Sequence, residues 1–408
     1  MLGLIAIILR YRNPSYYKAL DHIWVSYYPL SLSMASMMIA VLIQQLATGT
    51  FESKPYDVPF HVASFGIFFW LFLQLRSKDL KVIQWGAIAG VLASMMVIYA
   101  ETRGGIDRPA KILDVAIIPF SNHATLLAFL VFLSIKWDET QSKALIGLKA
   151  LTLCAGLYIT FLSQTRGGWP ALLLYAIIAS AIFLGKDWKK TTLAMTAFLT
   201  LLVSTAMLSE NIHKRIETVK TDISSYMDGT NPDTSVGMRL QYWDSSWILI
   251  KKNWGVGIGA DTYKDEIKKL AQQNIVTEQA ASLPHPHNEL LFQTVRYGIP
   301  GLVSILLVLF MPLVYFGRFI RHPDQQIRAS AWMGGAVCLA FFSFGLTDVV
   351  LVWRHTTTFY AFLLAVCFAH IVNRMQELEN GKPGSIAPES HAKMLDKCIS
   401  RNPKCPSL

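Results

Sequence analysis

Two histidines alternate with two prolines in the segment Pro284-His285-Pro286-His287-Asn288. Proline cannot continue a helix from the residues before it, so this segment predicts a rigid, extended turn that presents both imidazoles. Because an imidazole can take a proton from a sugar hydroxyl near neutral pH, His287 is the candidate general base. His285 has the same chemistry, and capping of the next helix together with Asn288 is the alternative role for His287.

A first candidate for anion binding, Arg166, lies between Ser163 and Pro170, where Gly167 and Gly168 predict a hairpin turn between two apolar runs. A guanidinium carries a permanent charge and five donors in a fixed geometry, which suits a diphosphate at the membrane surface. The alternative is an arginine that snorkels to lipid headgroups.

A second arginine, Arg239, opens a helix predicted from Arg239 to Lys252 within a long polar loop. Its place in the first turn adds unpaired backbone N–H groups, which also favour an anion. The alternative is an ordinary arginine on the helix surface, paired with Asp233 or Asp244.

The composition places these residues in a membrane protein. Of the 408 residues, 53% are hydrophobic and 16% are charged, which is too apolar for a soluble chain of this size. Apolar runs of about 17–25 residues are long enough to cross the bilayer as helices. The sequence therefore predicts an all-α polytopic membrane protein.

The net charge of +10 does not indicate a nucleic-acid partner, because the basic residues lie in short loops between apolar runs and form no single patch. The five cysteines lie in apolar runs or in the C-terminal tail. They form neither a disulfide framework nor a zinc-binding spacing with histidine, so no metal is expected.

About 10–12 transmembrane helices are expected. Met1–Leu9 is half a span, so the chain either starts inside a helix or begins with a re-entrant piece; it lacks the features of a cleaved signal peptide. The clear spans lie at about 22–46, 58–75, 82–99, 113–135, 146–162, 170–185, 191–208, 301–317, 330–346 and 356–373.

Lysine and arginine are more frequent in alternate short loops, and the richer side is expected to be cytoplasmic. This orientation divides the chain into an N-terminal transmembrane bundle at 1–208, a periplasmic loop domain at 209–300, C-terminal transmembrane helices at 301–373 and a cytoplasmic tail at 374–408. The helix starting at Arg239 is expected to be amphipathic, with Tyr242, Trp243 and Trp247 at the level of the lipid headgroups.

The same orientation brings further polar groups to the outer side, where they could support a site. Asn122 and His123 lie within a span, at a depth where polar groups line a cavity or form interhelical hydrogen bonds. Outside the spans, the expected supporting residues are Arg103, Arg354 and His355, with an interfacial belt as the alternative for the last two.

These residue types favour displacement of a diphosphate. A diphosphate leaves readily once its charge is neutralised, and arginines can do this in place of a metal. The chain has no Asp-x-Asp pair, which argues against a metal-dependent glycosyltransferase. The segment Gly255–Gly259 lacks the context of a phosphate loop and is expected to form a turn.

Three motifs together resemble the O-antigen ligase and polymerase superfamily of bacterial envelopes. They are Ser-x-x-Arg-Gly at Ser163 to Gly167, Arg-x-x-x-Trp at Arg239 to Trp243, and His-Asn-x9-Gly-x-x-Gly at His287 to Gly301. The third is the most specific, and its glycines Gly298 and Gly301 are expected to allow close backbone approach where the chain enters the membrane. Their order around one long outer loop, followed by a few closing spans, covers roughly residues 10–375.

The resemblance implies a metal-independent, inverting enzyme of the GT-C type in the bacterial inner membrane, with no cofactor. It would move a glycan from undecaprenyl diphosphate onto an acceptor, lipid A-core for a ligase, on the periplasmic side. By this analogy Arg166 and Arg239 hold the diphosphate and His287 activates the acceptor hydroxyl. Membrane lipids are the remaining expected partner.

Two alternatives remain at this point. An O-antigen polymerase or a protein O-oligosaccharyltransferase would share the donor, although the short polar tail after Arg374 favours the ligase. A transporter of lipid-linked glycan would show ionisable residues near the bilayer midplane and repeated halves. The apolar interiors of the spans and the one-sided polar cluster argue against it.

Overall fold

The computed structural model describes residues 27–139, 142–165, 167–185 and 210–380, and the single positions 189 and 196. In the range 210–380, it describes side chains only from residue 219 to residue 379. The described residues form the helices α1 (Tyr28–Thr48), α2 (Asp57–Ala63), α3 (Phe65–Phe72), α4 (Ser77–Leu80), α5 (Ile83–Glu101), α6 (Ile117–Leu133), α7 (Lys143–Leu162), α8 (Trp169–Phe183), α9 (Glu210–Met227), α10 (Ser235–Lys252), α11 (Tyr263–Gln272), α12 (Glu278–Ala281), α13 (Glu289–Gly317), α14 (Gln325–Gly345) and α15 (Arg354–Asn380). One small antiparallel hairpin pairs β1 (Lys111–Ile112) with β2 (Val115–Ala116).

Within the described residues, 7 helical segments are long and apolar enough to cross a membrane: Tyr28–Thr48, Ser77–Glu101, Ile117–Trp137, Lys143–Leu162, Glu289–Gly317, Gln325–Gly345 and Arg354–Glu379. The prediction of an all-α polytopic membrane protein is confirmed. Helix α8 is apolar but shorter. The half-span predicted at 1–9 and, apart from position 196, the span predicted at 191–208 lie outside the described residues.

The predicted span at 58–75 is not one uninterrupted helix. It forms α2 and α3, of 7 and 8 residues, with a break at Ser64. The Ser64 hydroxyl donates to the His61 carbonyl at 2.6 Å, a local bond of the kind that competes with regular helix geometry and bends it.

The last three long helices form the centre of the membrane bundle. Gly334 of α14 lies against the ring of Phe316 of α13, where a Cβ would be only 2.0 Å from the ring. Phe316 in turn stacks on Phe368 of α15 with 3.9 Å between ring centroids. Because the small residue lets the helices approach closely, α13, α14 and α15 form a tightly packed unit that carries the loops described below.

The polar loop folds into a helical cap, residues 210–288, packed on the first turns of α13. Its core includes Tyr242 and Leu249 of α10 and Ile267 of α11, in contact with Phe292 and Val295 of α13. Helix α13 therefore begins at Glu289, twelve residues before the span predicted at 301. The sequence prediction placed the boundary at the apolar run, but the helix extends beyond it because its first turns are buried by the cap.

Helix α13 is kinked at Gly298, where its backbone lies against the backbone of the cap. Gly298 has φ 63°, and Pro300 has no N–H to donate to the Arg296 carbonyl. Gly259 donates to that carbonyl instead at 2.9 Å. A Cβ on Gly298 would lie 2.5 Å from the Gly255 carbonyl oxygen, so the close backbone approach expected at Gly298 is confirmed.

The neighbouring glycines have related roles. A Cβ on Gly301 would lie 2.1 Å from the Gln293 carbonyl oxygen, which also confirms the expected close approach. The segment Gly255–Gly259 forms the expected turn, and its Ile258 amide donates to the Val295 carbonyl at 2.9 Å.

Helix α10 departs from the prediction in two respects. It begins at Ser235, with Thr234 as its N-cap, rather than at Arg239. Arg239 therefore lies in the second turn, and the expectation that it shares the unpaired first-turn N–H groups with an anion is wrong. Trp243 and Trp247 are 38% and 54% exposed, as expected for an outward face. Tyr242 is only 2% exposed, so its expected place among lipid headgroups is wrong. It lies on the side of α10 that packs with Leu249 in the cap core.

Candidate active site

The loop between α12 and α13 presents the two histidines. Asn288 is the N-cap of α13, and its side chain accepts a hydrogen bond from the Leu291 amide at 3.1 Å. His287 has φ 51°, a left-handed conformation that is uncommon outside glycine and asparagine. Pro286 is buried. A capped helix end on one side and a buried proline on the other therefore hold the His287 imidazole.

His287 pairs with Asp348, which lies in the loop between α14 and α15. Nδ1 of His287 is 3.0 Å from Oδ1 of Asp348. A carboxylate can only accept, so Nδ1 carries a proton, and in the neutral form of this imidazole Nε2 has the free lone pair. The side chains of His287 and Asp348 are 26% and 15% exposed, which leaves the imidazole accessible while its partner is largely shielded. This is the arrangement of an oriented general base.

Glu289 fixes the loop that carries Asp348. It is 1% exposed, and its Oε2 accepts from the Val350 amide at 2.6 Å and from the Leu351 amide at 3.0 Å. Its other oxygen accepts from Gln293 at 2.7 Å. Because Glu289 follows His287 by two residues, one helix end holds both the histidine and the segment of its acidic partner.

His285 lies beside His287, with ring centroids 4.5 Å apart in a T-shaped arrangement. Its Nδ1 is buried and has no hydrogen-bond partner within the described part of the chain. Burial, followed by the nearby His287, lowers the pKa of His285 to about 4, so this imidazole is neutral at neutral pH. One ligand atom each from His285, His287 and Asp348 lie within 4.8 Å of one another.

Helix α10 closes another side of the site. The Tyr242 ring centroid is 6.0 Å from that of His287. Burial, followed by the charge of Asp233, raises the pKa of Tyr242 to about 12, so its hydroxyl remains protonated. Arg239 lies one turn before Tyr242, is exposed, and forms neither an ion pair nor a hydrogen bond with the side chains that the structure describes. It is therefore available to an anionic ligand.

The hairpin between α7 and α8 packs against the Asp348 loop. The Thr347 hydroxyl donates to the Gly167 carbonyl at 3.2 Å, and a Cβ on Gly168 would lie 2.5 Å from Oδ1 of Asn122. Buried Ser163 donates to the Ser121 hydroxyl at 3.0 Å, which ties the hairpin to α6. Arg166 itself lies outside the described residues.

Comparison with known proteins finds similarity to O-antigen ligases. A family model described as O-antigen ligase matches residues 150–306, a range that contains the α7–α8 hairpin, the cap and His287. The O-antigen ligase of Escherichia coli (strain K12) is 23% identical over 370 residues, which are 86% of this chain and 82% of that protein. The chain is thus similar to O-antigen ligases, to the family model over its central part and to the Escherichia coli protein over most of its length.

A second relative matches over a shorter segment. A protein of Haemophilus influenzae (strain ATCC 51907 / DSM 11121 / KW20 / Rd), described as "Uncharacterized protein", is 27% identical over 177 residues. These residues are 42% of this chain and 44% of that protein, so the match spans less than half of the relative.

Not all the residues expected at the site lie together. Arg103 pairs with Asp107 at 3.2 Å, and Arg354 pairs with Asp57 at 2.5 Å. Each arginine therefore already has an acidic partner, and no contact joins either of them to His287 within the described residues.

His123 and His355 lie near each other, with ring centroids 6.4 Å apart. The His123 ring packs on Phe359 at 4.6 Å and on Phe341 at 6.0 Å between centroids. These aromatic contacts are those of a packed interior side chain, and a role in substrate binding stays a prediction for both histidines.

Sequence reasoning missed two acidic residues of the candidate site, Asp348 and Glu289. Asp348 had one detectable signal, since it is a carboxylate at the outer end of a predicted span, where an ionisable group needs a partner. Glu289 follows the capping Asn288 directly and reads as an ordinary acidic residue in the first turn of a helix. Its burial was not visible from the sequence.

Proposed function

We propose that the protein is an O-antigen ligase that transfers a glycan from undecaprenyl diphosphate to lipid A-core. The reaction inverts the anomeric carbon, needs no metal, and takes place on the periplasmic face of the inner membrane. The observation that carries the proposal is the 3.0 Å pair between His287 and Asp348 in a partly accessible loop beside the cap. The similarity to O-antigen ligases supports the choice of donor and acceptor.

In the proposed step, Nε2 of His287 takes the proton of the acceptor hydroxyl while its oxygen attacks the anomeric carbon of the donor. The bond between that carbon and the diphosphate oxygen breaks, and undecaprenyl diphosphate leaves with the bonding electrons. Asp348 accepts the Nδ1 proton in a hydrogen bond throughout, so it stabilises the imidazolium that forms. The proton then passes to solvent or to the leaving group.

Arg166 and Arg239 are the proposed diphosphate ligands. The availability of Arg239 beside Tyr242 supports its role, and the contact of Gly167 with Thr347 supports a place for the hairpin near Asp348. If the contact is desolvated, Arg166→Ala or Arg239→Ala loses about 2–5 kcal/mol of donor or transition-state stabilisation. Lys251→Ala is the matched control, because Lys251 is an exposed base on the same helix as Arg239.

The architecture is compatible with the GT-C type, in which a polar site lies at one end of a membrane bundle. The His287 loop, the Asp348 loop and the α7–α8 hairpin all lie at the end of the helices that carries the cap. By the distribution of lysine and arginine this end is periplasmic.

The test uses purified protein in detergent with EDTA, given undecaprenyl diphosphate-linked glycan with and without lipid A-core, and follows transfer by gel. Product that requires lipid A-core supports the ligase. Growth of the glycan on the donor alone indicates a polymerase, and transfer to a protein indicates an oligosaccharyltransferase. Intact donor binding without any transfer favours a transporter of lipid-linked glycan.

A separate variant tests the proposal that His287 is the general base. His287→Ala is expected to abolish transfer while the protein remains folded and inserted. His322→Ala is the control, because His322 lies in the loop between α13 and α14, at the opposite end of α13. Wild-type transfer by well-folded His287→Ala refutes the assignment.

A further inference from the structure

Three potential metal ligands converge in the proposed site. One ring nitrogen each of His285 and His287 and one carboxylate oxygen of Asp348 lie within 4.8 Å of one another. Imidazole nitrogen and carboxylate oxygen are the ligands of three-coordinate protein sites for zinc, which leave a further position open. Among the described residues, a group of three histidine, cysteine or acidic ligands at such distances is found here.

His285 supplies an observation independent of the His287–Asp348 pair. Its Nδ1 is buried and has no partner among the described residues. A buried polar atom without a hydrogen bond costs free energy, and a cation bound to that nitrogen would remove the cost. The pairing of His287 with Asp348 does not by itself need a second imidazole at this position.

The distances are close to those of a bound ion. Zinc–ligand bonds of about 2.0–2.1 Å in a tetrahedral arrangement place ligand atoms about 3.3 Å apart. Nδ1 of His287 and Oδ1 of Asp348 already lie 3.0 Å apart. The ligand nitrogen of His285 lies at most 4.8 Å from these two atoms. It would therefore move inward by at most about 1.5 Å to reach the tetrahedral spacing. Glu289 and buried Pro286 already fix the two loops.

We propose that His285, His287 and Asp348 form a site for Zn²⁺ and similar divalent cations, and that occupation of this site inhibits the enzyme. A neutral imidazole that binds a metal through Nδ1 carries its proton on Nε2. The nitrogen that faces the acceptor hydroxyl then has no lone pair, so His287 cannot act as a base. The inhibition rests on the proposed function, whereas the binding does not.

The chemistry of the ligands sets the selectivity. Two imidazoles favour Zn²⁺, Co²⁺ and Ni²⁺, whereas Mg²⁺ and Ca²⁺ prefer sites made of oxygen. The site is thus distinct from a magnesium site that would hold a diphosphate. Transfer in EDTA and inhibition by Zn²⁺ are expected of the same protein.

Binding is measured with Co²⁺ as the probe, because a low-symmetry Co²⁺ site absorbs visible light, whereas Zn²⁺ does not. The full-length protein in detergent is expected to bind one Co²⁺ with such a spectrum, and Zn²⁺ but not Mg²⁺ should displace it. His285→Ala is expected to weaken binding at least about tenfold. His285→Asn is the second variant if His285→Ala fails to fold.

The chain offers a matched control in His61, whose Nε2 lies 4.0 Å from Oδ1 of Asp57. No third histidine, cysteine or acidic ligand joins this pair among the described residues. His61→Ala should leave the Co²⁺ titration within about twofold of wild type, by the usual independence of separate sites. Equal Co²⁺ binding by wild type and both His285 variants overturns the site, as does an equal loss in His61→Ala.

Inhibition of transfer is measured separately from metal binding. Zn²⁺ is expected to inhibit transfer over the range in which it displaces Co²⁺, and His285→Ala should raise the inhibitory concentration at least about tenfold. Displacement of Co²⁺ without inhibition overturns the inhibitory role and argues against His287 as the base. If no transfer occurs under any condition, the proposed function fails, while the Co²⁺ titration still decides the site.

Discussion

Replacement of Asp348 by asparagine tests whether the carboxylate orients His287. The carboxylate can only accept, so it keeps the proton on Nδ1 at 3.0 Å. An amide can donate to Nδ1 instead, which moves the imidazole proton to Nε2 and removes the base. The change keeps the size of the side chain, so Asp348→Asn separates the effect on the proton from an effect on packing.

The magnitude follows from the role of the pair. A positioned general base contributes about 10²–10⁴ to the rate, or about 2.7–5.4 kcal/mol at 1.36 kcal/mol per tenfold. Because the side chains of His287 and Asp348 are only 26% and 15% exposed, solvent cannot fully replace the lost acceptor. We expect kcat to fall by about 10²–10⁴ and KM for the lipid-linked donor to stay close to wild type.

The assay is steady-state transfer in EDTA, with folding checked by size-exclusion chromatography and thermal unfolding. Asp107→Asn is the control: it removes an exposed pair with Arg103 at 3.2 Å, which should contribute less than about 1 kcal/mol. His287→Ala combined with Asp348→Asn should be little worse than His287→Ala alone, because the two act as a unit. Multiplicative losses in the double variant refute the orientation role.

Three further changes test how the structure holds the site. Gly298→Ala should lower the free energy of unfolding by at least about 2 kcal/mol, because φ is 63° and the new Cβ would meet a carbonyl; Gly317→Ala, with no atom within 4 Å, should be nearly neutral in the same thermal assay. Glu289→Ala leaves two buried backbone amides without an acceptor and should destabilise by about 2–5 kcal/mol, with loss of transfer in the fraction that folds. Burial alone would raise the pKa of Asp324, but hydrogen bonds from backbone amides and the charge of Arg374 outweigh it and hold the pKa below its ordinary value of 3.8. This contribution to stability is present above that value and is lost as pH falls through the lower pKa of the folded protein, so the difference in melting temperature between wild type and Asp324→Ala should shrink in acid. A difference that grows in acid contradicts the shift.

The membrane helices could be predicted because hydrocarbon demands long apolar runs with satisfied backbone groups. The start of α13 at Glu289 could not, because its first turns are covered by the cap rather than by lipid. The close approaches at Gly298 and Gly301 were visible as a spacing of glycines. Which carbonyls they would meet depended on the folded cap.

The site could be predicted where a local pattern carried it. His287 was found because prolines and an N-capping Asn288 surround it in the sequence. Asp348 lies 61 residues away, and only the folded chain brings it to Nδ1 of His287. Conversely, Arg103 and Arg354 carry the charge that a diphosphate site needs and were predicted on the same side of the membrane as His287. Neighbouring carboxylates already pair with both of them. Charge alone does not show which arginines are free.

The bond from Glu289 to the loop after α14 also bears on how the protein is made. Glu289 and His287 leave the ribosome well before Val350 and Leu351, the residues whose amides Glu289 binds. Until α14 and the loop after it have been made, the carboxylate of Glu289 lacks those donors and His287 lacks its acidic partner. The pair between His287 and Asp348 therefore forms late in the synthesis of the chain, after the cap and α13 are already present.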